Sequence, residues 1–578
     1  MNPVIVVVID DAVVMTENIA RHLHLTSDRA AAVRAAVQEL IWRVTSSTIT
    51  TVVVFLPLGL LEGVVGQFFV ALSVTLTIAV LVSLLLALSV IPLLSAQFVR
   101  AGDVEDRPTG SAPRADLVAA GGAALARAVD GLTAGYVRAL AAVLRHPRRV
   151  VGTAAALVVA GVVIQRFVGT GFLPDMDEGA FVLDYVTPGG TALDKSNRMV
   201  EIAEHILAQT PEVAATSRRL GAELGLFATL QNSGDIVARL KRNRSRGIDA
   251  VMDDVRAKVQ AAVPRMRIEF SQILADLLGD LEGAPRPVEI KLCVPAGEIH
   301  TDDRAIGVRV RAPDRVRYDA TALPALPVVA GASRQVTPLG ALVDIRAVDS
   351  RAELLRENQQ QMIAMTADLS GRSLGDVMRD VRRVLAANPA PAGIRVVIGG
   401  QYAGQQAAFQ ALLVVLLLAA ASVIAVMVIQ FESFVEPLII VLAAPVSFVG
   451  ATALLLITGT PFNVSSFMGL ILLVGLIVKN GIILLDFTRI RLRAGLALEP
   501  ALLEAARIRL RPILMTTLCT LFGLLPLALG LGAGSELQKP LALAVIGGLG
   551  LSTPITLFMV PTLLVWVRGP EWRETDRG

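Results

Sequence analysis

Apolar and polar positions divide the chain into two regimes. Residues 1–99, 149–167 and 408–567 form long apolar runs, whereas 168–407 alternates in short strand-like and amphipathic stretches. A membrane-crossing helix needs about 20 mostly apolar residues. Nine segments qualify, near 3–19, 44–61, 68–98, 149–167, 408–430, 434–456, 463–487, 512–532 and 540–567. The first is long enough only if the chain enters the bilayer almost at Met1. Pro57, Pro92, Pro526, Pro554 and Pro561 lie inside spans, where neighbouring helices can re-satisfy the backbone.

Within the polar stretch, period-two runs predict strands at Ala180–Val186, Val213–Arg219, Gly234–Leu240, Met266–Phe270 and Val288–Cys293. Helices are predicted at about Ala192–Ala208 and Asp249–Val263. This is β-α-β followed by β-α-β, the pattern of a ferredoxin-like unit. After Cys293 the pattern breaks. Val308–Val310 and Arg334–Val343 read as short strands, and one β-α-β unit recovers with Met362–Asp368, Leu374–Ala387 and Ile394–Ile398. The second half has lost roughly one β-α-β unit. The fold class is therefore membrane α+β, a nine-span helical bundle with a large ferredoxin-like insertion.

Short loops orient the spans, because Lys and Arg concentrate on the cytoplasmic side. Loop 20–43 carries Arg21, Arg29, Arg34 and Arg43, and segment 100–149 ends in Arg145, Arg148 and Arg149. Loop 488–511 carries Arg489, Arg491, Arg493, Arg507, Arg509 and Arg511, while the alternate loops hold only Lys539. The first helix then starts outside, and 168–407 lies outside the cytoplasm. The domains read as 1–99, first-half membrane helices; 100–148, a cytoplasmic linker with an amphipathic, solvated helix over 115–145; and 149–167, a membrane helix. They continue as 168–407, the external region, shortened near 294–304; 408–567, five membrane helices; and 568–578, a cytoplasmic tail.

Composition agrees with this picture. The chain has 578 residues, 54% hydrophobic and 18% charged, against about 25% charged in soluble domains. A net charge of +3 does not point to nucleic acid. Cys293 and Cys519 lie in unlike surroundings and form no CxxC motif. His22 and His24 read as loop histidines beside a membrane surface. Asp175, Asp177 and Glu178 read as a solvated turn rather than a metal site. No cofactor or metal-ligand motif is present, and no cleavable signal peptide is visible.

An internal repeat runs through the membrane part. Adding 469 takes Thr48, Thr51, Pro57, Gly63, Ser83 and Pro92 onto Thr517, Thr520, Pro526, Gly532, Ser552 and Pro561 without a gap. Duplicated bundles are characteristic of secondary transporters, with coupling sites at the repeat interface. The same offset takes Asp10 to Lys479, Asp11 to Asn480 and Glu17 to Asp486.

Candidate chemistry gathers at those charges. One carboxylate near the centre of a membrane helix costs at least about 2.5–3.5 kcal/mol, and Asp10 and Asp11 are adjacent. Their helix and that of Lys479 run in the same direction, so all three reach similar depth. Burial, a nearby cation and a neighbouring carboxylate shift protonation in opposing senses, so the trio can hold or release one proton. The competing reading is a static salt bridge that fixes helix register. Thr516 and Arg509, at the start of the next helix, extend the candidate relay.

With these residues assembled, the chain resembles the resistance–nodulation–division superfamily of proton-driven efflux pumps. The motifs are Asp10-Asp11-Ala12-Val13-Val14 through Glu17-Asn18, Thr48-Ile49-Thr50-Thr51 through Phe55-Leu56-Pro57-Leu58, and Phe172-Leu173-Pro174-Asp175-Met176-Asp177-Glu178-Gly179. Gly475-Leu476-Ile477-Val478-Lys479-Asn480 and Arg509-Leu510-Arg511-Pro512-Ile513-Leu514-Met515-Thr516 complete them. The resemblance implies that Asp10, Asp11, Lys479 and Thr516 match the proton relay, with Arg509 on the cytoplasmic side. It implies a secondary active transporter rather than an enzyme, a homotrimer in the bacterial inner membrane. Its expected partners are a periplasmic adaptor protein and an outer-membrane channel protein, with protons and a small-molecule substrate.

Relative to that family, the chain begins at the fourth of twelve membrane helices and lacks the first external domain. Residues Ile306–Ile345 look like docking-domain material. Copper-exporting members place a methionine after the Glu-Gly turn, where this chain has Phe181-Val182-Leu183-Asp184; this favours amphipathic organic compounds over soft metals. Two alternatives stand beside that reading: a heavy-metal cation efflux permease, and a truncated non-transporting remnant or split-gene partner.

Overall fold

Helix α1 (Val4–Leu25) already carries the pattern that governs the membrane part: an apolar run that goes on as helix into charged residues. The structure is a computed structural model. It describes residues 4–25, 28–61, 63–98, 116–174, 176–189, 191–221, 232–274, 276–277, 287–294, 323–330, 335–345, 356–357, 360–369, 371–532 and 534–575.

The first half continues with α2 (Arg29–Phe55), α3 (Gly63–Leu88), α4 (Val90–Phe98), α5 (Asp116–Leu144) and α6 (Pro147–Gln165). Asp28 starts α2 by accepting from the Ala30 N–H, the role its short carboxylate suits at a helix N-cap. Pro57 sits in a 3-10 turn, Leu56–Leu60, that ends this span. Pro92 cannot donate to the Leu88 carbonyl, and the chain breaks at Ser89 between α3 and α4.

Residues 168–407 fold largely as predicted. Strand β1 (Ala180–Val186), helix α7 (Leu193–Gln209), β2 (Val213–Arg218), β3 (Ser233–Leu240), α8 (Ile248–Ala262) and β4 (Arg267–Gln272) form a sheet in the order β2-β3-β1-β4. All its pairs are antiparallel, as a ferredoxin-like unit requires. Alternate β1 residues Phe181, Leu183 and Tyr185 bury against Val200, Ala203 and Leu207 of α7 and Val251, Val255 and Val259 of α8.

The second sheet comprises β5 (Val288–Val294), β8 (Arg356–Glu357), β9 (Gln360–Ala367) and β10 (Arg395–Gly399), with helix α9 (Leu374–Ala387) between β9 and β10. Its order, β10-β5-β9-β8, is that of the first sheet, with the two-residue β8 at the second strand's place. Ile363 and Met365, on one face of β9, are exposed. A separate hairpin pairs β6 (Pro327–Ala330) with β7 (Gln335–Pro338), so the strand expected over 334–343 spans only four residues. The run Val308–Val310 lies outside the described residues.

The second half holds α10 (Gln401–Phe431), α11 (Val435–Val441), α12 (Ala444–Ile457), α13 (Val464–Arg493), α14 (Leu498–Ala528) and α15 (Lys539–Thr575). Asn463 and Ser466 form a reciprocal capping box at the buried start of α13, satisfying donors that would otherwise be costly there. Helices α12 and α15 cross at Gly450 and Gly547. A Cβ on Gly547 would lie 2.4 Å from the Gly450 carbonyl oxygen, so only glycine fits.

Among the described residues, eight helical segments are long and apolar enough to cross a membrane: Arg29–Leu60, Phe69–Phe98, Pro147–Gln165, Gln401–Phe431, Val435–Ile457, Val464–Arg493, Leu498–Ala528 and Lys539–Arg568. They correspond to eight of the nine predicted spans. The ninth, α1, packs against α2, α3 and α14 as part of the same bundle.

Three local expectations are corrected. Most of the arginines assigned to loops stand on helices, because α13 runs to Arg493 and α14 starts at Leu498. His22 is on α1, not a loop, and bonds Glu39 of α2 at 2.6 Å. The amphipathic helix α5 is not wholly solvated. Its last turns bury Tyr136, Leu140 and Leu144 against Leu510 and Ile513 of α14 and Leu557 of α15. The Tyr136 hydroxyl donates to the Leu557 carbonyl at 2.8 Å, an acceptor left without its helical donor by Pro561.

Candidate functional site

Asp11 is 3% exposed, one turn above Val14 and Met15 on the buried face of α1. Its Oδ1 accepts from Lys479 Nζ of α13 at 2.7 Å. Its Oδ2 accepts from Thr48 Oγ1 of α2 at 3.3 Å and from Ser83 Oγ of α3 at 3.4 Å. Four helices thus converge on one carboxylate. Charge-assisted bonds of this kind are roughly twice as strong as neutral ones, yet the desolvation of both ions makes a buried pair a poor source of stability. Its distinctive capacity is chemical: a carboxylate with one cationic and two hydroxyl donors can exchange a proton when the cation shifts.

The predicted residues separate into four cases. Asp11 and Lys479 are brought together. Arg509, 5% exposed on α14, lines the same small cavity as that pair, with its guanidinium 4.6 Å from the Phe487 ring centroid. Thr516 is buried on α14, but its hydroxyl donates to the Ile513 carbonyl at 3.1 Å, the intrahelical bond that threonines commonly adopt. Asp10 lies in α1, and its side chain is outside the described residues.

Sequence reasoning missed four contributors. Thr48 and Ser83 stand out in the sequence as repeat positions, Thr48 also within the Thr48–Leu58 motif, but nothing there makes them partners of Asp11. Arg43 of α2 and Asp486 of α13 form an ion pair at 2.5 Å on the same cavity. Arg43 counts in the sequence among the cations of loop 20–43 and Asp486 as the repeat counterpart of Glu17, and nothing in their spacing paired them.

The stretch Gly169–Gly179, which includes the Phe172–Gly179 motif, fastens the inserted region to the bundle. The Gly171 N–H donates to the Phe462 carbonyl at 3.0 Å, and the Phe462 N–H to Gly169 at 2.7 Å. Asp177 and Glu178 are not the solvated turn expected. The Asp177 carboxylate pairs with Arg244 and accepts from the Gly179 and Ile248 N–H groups, capping α8. Its own N–H donates to Glu536, between α14 and α15, at 3.2 Å. Glu178 accepts from the Leu274 N–H at 2.9 Å, and burial pushes its carboxyl up from the ordinary value. Asp175 is outside the described residues.

Above this clasp, a cavity of about 750 Å³ opens between the two sheets and the ends of α6 and α12. Apolar side chains Phe167, Phe172, Met252, Phe270 and Leu456 line it together with Glu178, Asp249, Asp253 and Asp368, against Arg256 and Arg372. Four carboxylates and two guanidiniums leave it formally negative when all are ionised. Among the described residues no cluster of three His, Cys, Asp or Glu could hold a metal ion.

Comparison with known proteins follows the same lines. Over 96% of its length, the chain is 26% identical to the nickel and cobalt resistance protein CnrA of Cupriavidus metallidurans, covering 58% of that protein. It is 28% identical to the multidrug resistance protein MdtC of Pantoea ananatis, over 96% of this chain and 59% of that one. The chain therefore spans about three-fifths of the length of these relatives. A crystal structure of a heavy metal efflux pump superposes with a TM-score of 0.74 at 23% identity, covering 98% of this chain and 60% of the pump; this likeness concerns the fold. The sequence pattern of the AcrB/AcrD/AcrF family matches residues 3–292 and 294–568. This multi-pass membrane chain belongs to the AcrB/AcrD/AcrF family of resistance–nodulation–division permeases.

Proposed function

We propose that this chain carries the proton-exchange part of a proton-driven efflux transporter and exports amphipathic organic compounds. The observation that carries the reading is the buried Asp11–Lys479 pair, held by Thr48 and Ser83 at the meeting of α1, α2, α3 and α13. A proton crossing the membrane potential supplies about 2.3 kcal/mol per 100 mV, and a carboxylate whose cation can move is suited to take it up on one side and release it on the other. In this reading the bundle lies in the bacterial inner membrane with 168–407 in the periplasm. The chain works as a homotrimer with a periplasmic adaptor and an outer-membrane channel. It is a secondary transporter, not an enzyme. Asp10, Thr516 and Arg509 belong to the same relay, Arg509 at its cytoplasmic end.

The large cavity supports this choice of substrate class. Its volume falls within the about 300–1,000 Å³ of small-molecule sites, and its apolar walls with an excess of carboxylates favour an organic cation with an apolar body. The second reading, export of a divalent metal ion, rests on the similarity to the nickel and cobalt resistance protein. Expression in a pump-deficient bacterial strain separates the two. Lowered accumulation of a cationic dye, restored by Asp11→Asn, is expected. Raised nickel or cobalt tolerance with unchanged dye accumulation would replace the organic reading with the metal one.

A further inference from the structure

The Asp11–Lys479 pair is not the end of the polar path. Two turns along α13, about 10 Å by helix geometry, stands Asp486, paired with Arg43 of α2 at 2.5 Å. Lys479, Ile482, Ile483 and Asp486 fall at i, i+3, i+4 and i+7, so one face of α13 carries both ion pairs. Leu40, Arg43, Val44 and Ser47 make the facing stripe of α2, and between the two stripes lies a cavity of about 20 Å³. A single water needs about 10–15 Å³ and two to four polar partners. Here Ser47 Oγ, Gln430 Oε1 and Arg509 Nε are buried on the cavity without a hydrogen-bond partner. Ser47 is only 2% exposed, so bulk solvent does not satisfy it.

We infer that this space is a one-water proton passage between Asp11 and the arginine-rich end of the bundle, latched by the Arg43–Asp486 ion pair. Val14 on α1, Val44 on α2 and Ile482 and Ile483 on α13 line the rest of the passage, so exchange between Asp11 and the arginine-rich end runs through the water held at Ser47. The Asp486 and Arg43 side chains are 28% and 24% exposed and reach the outer end. When Arg43 swings to Glu39, already 3.3 Å away on the same helix face, the latch opens. In export the protonated Asp11 gives its proton to the held water, which releases one to solvent at the arginine-rich end. Under a pH drop the same step runs in reverse, a hydronium passing its proton to the held water, which gives one to Asp11. An O–H bond breaks at the water as one forms on the carboxylate, and Lys479 keeps its ammonium proton. The charged groups facing the passage are Asp11 on α1, Arg43 on α2, Lys479 and Asp486 on α13 and Arg509 on α14, with Glu17, Arg21 and Glu39 beyond its arginine-rich end.

The inference rests on Asp11 being the proton-exchange group, and one experiment separates the two. The full chain in lipid nanodiscs is subjected to a rapid pH drop, and protonation of Asp11 is followed by the infrared carboxyl stretch that disappears in Asp11→Asn. Ser47→Val, which fills the water site, is expected to slow protonation at least tenfold. Arg43→Gln, which releases the latch, is expected to speed it several-fold, with the titration end-point little moved. The opposite signs exclude general loosening, and thermal unfolding of each variant checks folding. A titrating Asp11 band with rates unchanged in both variants overturns the passage alone. Absence of any band assignable to Asp11 overturns the exchange reading and the passage with it.

Discussion

Glu212 sets part of the acid limit of the β1–β4 unit. Arg246 bonds both its carboxylate oxygens at 2.7 Å and holds its carboxyl down at about 2, from an ordinary 4.5. A depressed carboxyl stabilises the fold above the unfolded value and loses that contribution as pH falls through the folded one. Stability of this unit should therefore decline between about pH 4.5 and 2, and Glu212→Gln should flatten that slope in denaturant titrations followed by circular dichroism. An unchanged slope would assign the acid sensitivity elsewhere, for instance to Asp254, which Lys258 and Arg246 also hold below its usual range. Tyr136 offers a second residue-scale test. Tyr136→Phe leaves the Leu557 carbonyl buried without its donor, at a cost of about 1–3 kcal/mol, so α5 should become more open to proteolysis while the bundle stays intact. That Lys479 meets the aspartates of α1 was legible in the sequence, because these charges stand in apolar runs and the 469-residue offset joins Lys479 to Asp10; that the bond falls on Asp11 was not. The direction of the Thr516 hydroxyl was not, since a bond to its own helix competes at every threonine.

At the scale of elements, glycine decides how close helices come. Gly450 and Gly547 bring α12 and α15 into backbone contact, as small residues do between membrane helices. Gly547→Val should force the pair apart and lower the thermal midpoint of the purified chain in detergent, whereas Gly550→Ala, whose added Cβ meets nothing within 4 Å, should be nearly neutral. Equal effects from both would contradict the close crossing. Apolar runs marked the spans well, because bilayer thickness sets their length. They underestimated the helices, which continue past the apolar part: arginine and glutamate are good helix formers, so α13 and α14 carry their cations as helix, not loop. Strand positions in the first sheet were readable to within a residue or two, since Phe181, Leu183 and Tyr185 alternate as one buried face, whereas β6 was not predicted and the run 334–343 gave only the four residues of β7. The stub β8 was invisible, because two residues hold no period.

The whole molecule joins a helical bundle to an insertion through the Gly169–Gly179 clasp. That clasp touches the α12–α13 loop at Phe462 and the α14–α15 loop at Glu536. Helix α14, which carries Arg509 and Thr516, is thereby one loop from the first sheet. Duplication of the membrane half and the ferredoxin-like order of the first sheet were both visible in the sequence. The way the clasp borders a cavity beneath the sheets was not, since its contacts join residues far apart in the chain, 359 positions from Asp177 to Glu536. Exchange of protons at Asp11 is the claim on which the rest depends. Its most direct test is substrate movement in proteoliposomes containing the purified chain under an imposed pH gradient, comparing the natural protein with Asp11→Asn. The account predicts dye movement that collapses with the gradient and is lost in a folded Asp11→Asn variant; gradient-driven movement that persists undiminished in that variant would contradict it.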